Sequence, residues 1–167
     1  IEIKARAREV PALARTAAAA AESEETVRQE DTFFSVPRGR LKLRRFPDGN
    51  GELIFYQRRD AHDPEPSRYQ IALVDDSHAL LDLLSSALGV LGTVRKTRRI
   101  FRSGRTRIHL DRVEKLGDFV EIEVVMEPGE KMDSATRTAR KFMKMLKIKS
   151  GDLIDRAYID LIREGEK

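Results

Sequence analysis

The first seven residues, Ile1-Glu2-Ile3-Lys4-Ala5-Arg6-Ala7, alternate apolar and charged side chains without a break. Period-two alternation is the pattern of a β-strand whose faces meet different surroundings. The same alternation, or a run of strand-forming residues, returns over Thr26–Val36, Arg40–Arg44, Glu52–Arg59, Ser67–Val74, Val94–Phe101, Thr106–Val113 and Phe119–Met126, about eight strands in all. Turn chemistry separates them: Pro37-Arg38-Gly39, Pro47-Asp48-Gly49-Asn50-Gly51, Ser103-Gly104 and Leu116-Gly117-Asp118. The second of these predicts a hairpin between Arg40–Arg44 and Glu52–Arg59. Helical segments fall at the junctions. Val10–Ala21 is almost all alanine with Leu13 and opens at Pro11, and His78–Leu88 follows an Asp76-Ser77 cap and stops at Gly89. Ala135–Leu146 is amphipathic behind an Asp133-Ser134 cap, and a short helix over Asp155–Arg163 closes the chain. These are the start and stop residues helices favour. Asp60–Pro66 reads as a loop.

In strand after strand one face is charged: Glu2, Lys4 and Arg6; Arg40, Lys42 and Arg44; Lys96 and Arg98; Arg105, Arg107, His109 and Asp111; Glu121 and Glu123. Two architectures fit. In an antiparallel sandwich these would be the solvated outer faces. Cations and carboxylates are, however, sorted by strand, which a solvated face does not require. An eight-stranded antiparallel β-barrel of α+β class, with helices packed on the outside, would turn the charge inward into a tunnel. Cations would then surround an anionic ligand, and carboxylates would hold the hard metal bridging to it. One domain over 1–167 is expected.

Composition narrows the function. The 167 residues carry 32 Lys+Arg against 28 Asp+Glu, a net charge of +4, so both signs are abundant and neither dominates. A nucleic-acid binder more often shows a basic stripe interleaved with aromatics, and here Trp is absent and Phe and Tyr form no stacking motif. Arg98-Arg99, Arg102 and Arg105 are split between strand faces by the alternation. With no cysteine, thiolate metal sites and Cys nucleophiles are excluded. No apolar run approaches the roughly 20 residues of a membrane span. A cytoplasmic protein without nucleic-acid or membrane partners, monomer or homodimer, is expected.

The chain resembles the CYTH superfamily, which contains class IV adenylate cyclases, thiamine triphosphatases and inorganic triphosphatases, and it is most similar to the class IV cyclase-like branch. The likeness rests on Glu2-Ile3-Lys4, matching the last three positions of the family's opening Glu-x-Glu-x-Lys, whose first Glu falls before Ile1. It continues through Gln29-Glu30-Asp31-Thr32-Phe33-Phe34, Gly39-Arg40-Leu41-Lys42-Leu43-Arg44, Glu52-Leu53-Ile54-Phe55-Tyr56 with Arg58, and Ser67 with Tyr69. It resumes in Ala87-Leu88-Gly89, Val94-Arg95-Lys96, Thr106 through Glu114, Leu116-Gly117-Asp118-Phe119, Glu121-Ile122-Glu123 and Ala157-Tyr158-Ile159-Asp160-Leu161.

Carried over residue by residue, the resemblance implies that Glu2, Asp111, Glu121 and Glu123 hold or neighbour Mg²⁺ or Mn²⁺. It implies that Lys4, Lys42, Arg44, Arg58, Lys96, Arg98 and Arg107 contact the phosphates of a triphosphate-containing small molecule. Lys4, Arg58 and His109 are the candidate catalytic residues, His109 as a general base near neutral pH or as a tunnel hydrogen-bonder. Tyr158 is expected to pack the last helix against the barrel, and His62 and His78 are assigned no function. Two positions depart from the branch: Asp63-Pro64-Glu65 stands where Gly-Pro-Lys is usual, and Arg59 where proline is usual. Hydrolysis of a terminal phosphate is expected over cyclisation of ATP, since nothing in the sequence marks an adenine pocket. A binding module without turnover is the third reading.

Overall fold

The structure is a computed structural model that describes residues 1–57 and 68–165. Its strands are β1 (Glu2–Arg6), β2 (Ser23–Phe34), β3 (Arg40–Arg45), β4 (Gly51–Gln57), β5 (Arg68–Val74), β6 (Val90–Ser103), β7 (Thr106–Val113) and β8 (Gly117–Val124). Four α-helices interleave with them among the described residues: α1 (Val10–Ala20), α2 (Ser77–Leu88), α3 (Met132–Met145) and α4 (Tyr158–Gly165). All eight strands form one sheet in the order β1-β8-β7-β6-β2-β3-β4-β5, and every pairing is antiparallel.

Apolar residues on the outer face of β1, β8, β7 and β6 dictate where two helices go. Ile3 and Ala5, Val120, Ile122 and Val124, Ile108 and Leu110, and Phe101 form a buried cluster with Leu13, Ala14 and Ala17 of α1 and Ala135 and Ala139 of α3. Alanine at the helix contacts lets both helices lie close to the sheet, and the buried branched residues supply the hydrophobic gain. A second cluster closes one end of the sheet: Phe33, Val94, Val113 and Phe119 pack against Tyr158, Ile159 and Ile162 of α4. Gly92 makes that docking possible, since a Cβ there would stand 2.7 Å from Ile159 Cδ1.

The sheet curls until side chains of all eight strands line one cavity. Among the described residues no ladder joins β1 to β5, so the closed barrel expected from the sequence is seen as a curled, eight-stranded antiparallel sheet. Several element bounds also differ from expectation. β6 runs six residues beyond the predicted Val94–Phe101, because its outer positions pair in register with β2 from Ser23 to Phe34. Helix α3 begins at Met132 behind Lys131, which makes no side-chain cap; Asp133 lies inside the first turn, where its charge favours the helix N-terminus. Asp76 does cap α2, its Oδ1 accepting from Ala79 N at 2.9 Å. The predicted loop Asp60–Pro66, and Arg58, Arg59, His62 and Ser67, lie outside the described residues.

Candidate functional site

Alternation and register together set the cavity wall. Lys4 lies opposite Glu121, which on its other side faces His109. One row along, Glu2 faces Glu123, which faces Arg107. Arg98 lies opposite Asp111, and Lys96 lies opposite Gln29. On the far wall Arg44 stands between Asp31 and Glu52, and Lys42 between Phe33 and Ile54. The enclosed volume is about 440 Å³. Among the candidate residues Glu2, Lys4, Lys42, Arg44, Lys96, Arg98, Arg107, His109, Glu121 and Glu123 line it, and Asp111 sits buried immediately behind Arg98. The sandwich with solvated charged faces is therefore not the architecture. Arg105 does not join the wall; it leaves the row to pair with Glu130 ahead of α3.

The cations are held in two knots. In the first, the carboxylate of Asp31 accepts from Lys42 Nζ at 2.8 Å, from Arg44 Nε at 2.8 Å and Nη2 at 3.0 Å, and stands 3.6 Å from Lys96 Nζ. Only 1% of Asp31 is exposed. Burial alone would raise its pKa, but the charges of Arg44, Lys42 and Lys96 outweigh it and hold the carboxyl well below the usual range. One carboxylate cannot compensate three cations. Burial and the repulsion of Arg44 therefore lower the Lys42 ammonium to about 7, and burial and Arg98 lower Lys96 as well.

The second knot is centred on Arg98, whose guanidinium donates to Asp111 Oδ1 at 2.6 Å and Oδ2 at 2.5 Å, and to Glu121 Oε2 at 2.5 Å. Glu121 also meets Lys4 Nζ at 3.4 Å and His109 Nδ1 at 3.5 Å. Burial would raise Glu121, but Arg98 and Lys4 hold it well below the usual range. Burial and the charge of Arg98 push His109 down, so its imidazole is neutral at neutral pH. Tyr158 Oη donates to Asp111 at 3.0 Å, and its ring lies 4.2 Å from Lys4 Nζ and 5.4 Å from Lys96 Nζ. The packing role expected of Tyr158 is thus joined by a polar one. Lys4 is further fixed by donating to the carbonyl of Arg156 at 3.2 Å.

Toward the β4 and β5 side the wall becomes apolar, with Phe46, Ile54, Tyr56, Tyr69 and Ile71. No adenine pocket is marked in the sequence, and this wall comes together only on folding, from side chains dispersed along the chain. Sequence reading also passed over Asp31, Gln29 and Glu52 as site residues. The signal for Asp31 is its place two residues from Phe33, which by alternation puts it on the same face, while the neighbouring Glu30 falls on the other. Gln29 Oε1 is buried in the wall without a hydrogen-bond partner among the described residues.

Whether the carboxylates fit a divalent ion is decided by what already occupies them. Among the described residues no group of three or more His, Asp and Glu side chains is placed to hold a metal. Glu121 and Asp111 are bound to Arg98, whereas Glu123 meets Arg107 at 3.3 Å and lies opposite Glu2. Two carboxylates fit a hard ion such as Mg²⁺ that takes most of its shell from water and phosphate oxygens.

A buried cluster of Lys, Arg, Asp and Glu, with cations in excess around Asp31, inside a curled antiparallel sheet defines a charged-cavity protein. The chain belongs to the CYTH domain family, whose model matches residues 1–158. Among solved structures it is similar to the PH1012 protein from Pyrococcus horikoshii OT3, at 25% identity and a TM-score of 0.86 over 96% of this chain and 98% of that one. It is also similar to a protein proposed to be an adenylate cyclase from Vibrio parahaemolyticus, at 19% identity and TM-score 0.77 over 98% and 97% of the two chains. The Pct1 RNA triphosphatase of S. pombe shares 13% identity and a TM-score of 0.52 over 92% of this chain and 70% of that one. The latter two show the fold alone. No curated protein sequence matches the chain.

Proposed function

We propose that this protein is a divalent-metal-dependent enzyme that processes triphosphates in its tunnel, releasing the terminal phosphate. The carrying observation is the Asp31 knot. Lys42, Arg44 and Lys96 converge on one carboxylate with charge to spare, and Arg98 adds a fourth cation from the same wall. A triphosphate bears about four negative charges that must be spread and neutralised for transfer. Family membership supports triphosphate processing, and the fold is shared by proteins named as an RNA triphosphatase and a proposed adenylate cyclase.

In this reading Lys42, Arg44 and Lys96 turn from Asp31 to the phosphate oxygens, and Arg98 keeps its hold on Asp111 and Glu121 while presenting its outer edge. Lys4, fixed by Tyr158, Glu121 and the Arg156 carbonyl, contributes a rigid charge. Neutral His109 accepts the proton of the attacking water at Nε2, with Nδ1 turned to Glu121. Glu2 and Glu123 would hold Mg²⁺ or Mn²⁺, which when bound spreads phosphate charge and orients the attacking oxygen. A closed barrel and a role for Arg58 belong to this reading as well.

The apolar wall of Ile54, Tyr56, Tyr69 and Ile71 favours a second reading, class IV adenylate cyclase. There the ribose 3′-oxygen attacks the α-phosphorus of ATP and pyrophosphate leaves. Incubation with ATP, thiamine triphosphate or inorganic tripolyphosphate, with Mg²⁺, Mn²⁺ or chelator, followed by product separation, decides between them. Orthophosphate release is expected; cyclic AMP with pyrophosphate would replace it with cyclisation. Salt-sensitive binding without turnover would leave a binding module, and neither binding nor turnover would overturn the tunnel reading.

A further inference from the structure

The sheet carries a second concavity on its opposite, outer face, about 590 Å³ in volume. It opens where the β2–β3 ladder stops at Glu30 and Arg45 and β2 runs on paired only to β6. The turn at Phe46 and Pro47 and His78 of α2 wall it in. Its charge is lopsided: Arg28, Arg45, Arg95 and Arg112 against Glu30 and Glu114, the Lys96 ammonium being turned to Asp31 in the inner cavity. Register explains the convergence. Arg28, Thr97 and Arg112 form one row across β2, β6 and β7, and Arg95 stands two residues from Thr97 on the same face.

Like charges gathered around one threonine are unfavourable unless an anion joins them. Arg28 is exposed and forms no ion pair among the described residues. Arg95 and Arg112 spend their Nε groups on Glu30 and Asp118 and leave their outer guanidinium edges in solvent. Both side-chain atoms that are buried without a partner among the described residues, Arg45 Nε and Gln29 Oε1, belong to residues of this concavity. A buried N–H lacking an acceptor, beside three arginines with open edges, is the donor set that recognises a tetrahedral oxyanion.

We propose that this concavity is a second anion site, separate from the tunnel, that takes inorganic phosphate or pyrophosphate. Thr97 would lie at its floor and Arg28, Arg95 and Arg112 around its rim, with Arg45 beneath. A walled pit with two aromatic rings at most, Phe46 and the imidazole of His78, suits a compact inorganic anion better than a nucleic-acid strand, which needs a longer track with stacking platforms. Gln29, Lys96 and Phe46 border both cavities, so one layer of side chains separates an anion here from the tunnel.

Calorimetric titration with orthophosphate and with pyrophosphate, alongside amide NMR of Arg28 and Thr97, tests this. The pair Arg28→Gln and Arg112→Gln, both at exposed positions, should remove the outer site, each change weakening it about tenfold as expected for a charge-assisted contact. Lys42→Ala with Arg44→Ala should remove only the tunnel site. Pyrophosphate is expected to occupy two sites on the native chain and one on either double variant. The Arg28 and Thr97 signals should shift whether or not the tunnel variant binds. If the native chain has one site and it survives Arg28→Gln/Arg112→Gln, or if an oligonucleotide but neither inorganic anion moves those signals, the inference falls. If the one site is lost in that variant, the inference stands and the tunnel reading falls instead.

Discussion

Asp31 is the residue whose removal should reveal how the tunnel is held together. In Asp31→Asn the shape is kept and the carboxylate shared by Lys42, Arg44 and Lys96 is lost, leaving Arg44 the more distant Glu52 at 3.8 Å. Breaking a buried ion cluster by removing one partner costs about 3–5 kcal/mol, because the remaining charge is left uncompensated. For a chain of this length each kcal/mol moves Tm by about 2–4 °C, so a fall of about 10 °C is expected in a thermal melt. Lys42 limits the loss and gives it a pH signature. Its ammonium already sits at about 7 and Asp31 is among the groups holding it up, so in the variant it sheds its proton more readily. A lysine with a depressed folded pKa carries its full penalty below that pKa and loses it as pH rises toward the unfolded value. The variant's deficit should therefore be larger at pH 6 than at pH 8. Tripolyphosphate, supplying the missing negative charge, should raise the variant's Tm by more than the native protein's. A variant melting within about 2 °C of the native chain at both pH values, a difference smaller than about 1 kcal/mol would make, or one gaining no more from tripolyphosphate, would refute the reasoning.

Two further expectations follow from the same geometry. Anion binding beside Lys42, whose neighbours are Asp31, Arg44, Lys96 and Tyr56, should raise its pKa above about 7; binding at pH 8 then takes up a proton, seen as a buffer-dependent heat in calorimetry, affinity falls as pH rises further, and Lys42→Met abolishes both effects. Gly92→Ala should cost about 1–3 kcal/mol as an overpacking change, because the added methyl meets Ile159 Cδ1 at 2.7 Å and either the end of that side chain or α4 must shift; a lower Tm together with weaker tripolyphosphate binding is expected, and an unchanged Tm would mean that the Ile159 side chain gives way freely.

The strands were legible because alternation is a local property. Each of the eight is visible as a period-two run or a run of strand formers, and the inward charge of β1, β3, β6, β7 and β8 can be read residue by residue. What could not be read is which charges meet. Asp31 and Lys96 are 65 positions apart, and only the β2–β6 register brings them to one face. Arg98 could have served a ligand or a structural carboxylate; it binds Asp111 and Glu121, which were expected to serve a metal. The apolar wall was hidden for the same reason, since Ile54 and Tyr56 come from β4 and Tyr69 and Ile71 from β5, and only the β4–β5 register sets them side by side. The outer arginines were concealed by their regularity: on a strand read as having one charged face, charge on the other face at Arg28, Arg95 and Arg112 looks like ordinary solvation.

The two knots are not independent, and that shapes how the tunnel would discriminate between anions. Lys96 stands 3.6 Å from Asp31, while its ammonium lies 5.4 Å from the Tyr158 ring, whose hydroxyl donates to Asp111. Tyr158 also holds Lys4, which meets Glu121, and Glu121 shares Arg98 with Asp111. Charge displaced at one end is therefore felt at the other through a continuous chain of contacts in a low-dielectric interior. A singly charged anion drawing Lys42 from Asp31 would leave Arg44 and Lys96 still competing for that carboxylate, and would gain little over the contacts it replaces. A linear polyanion reaching from the Asp31 knot to Arg98 meets four cations with one ligand and relieves their mutual repulsion as a set. On the proposed triphosphate reading, selectivity for several phosphates in a row over one would then follow from the internal carboxylates, which every incoming anion must outcompete.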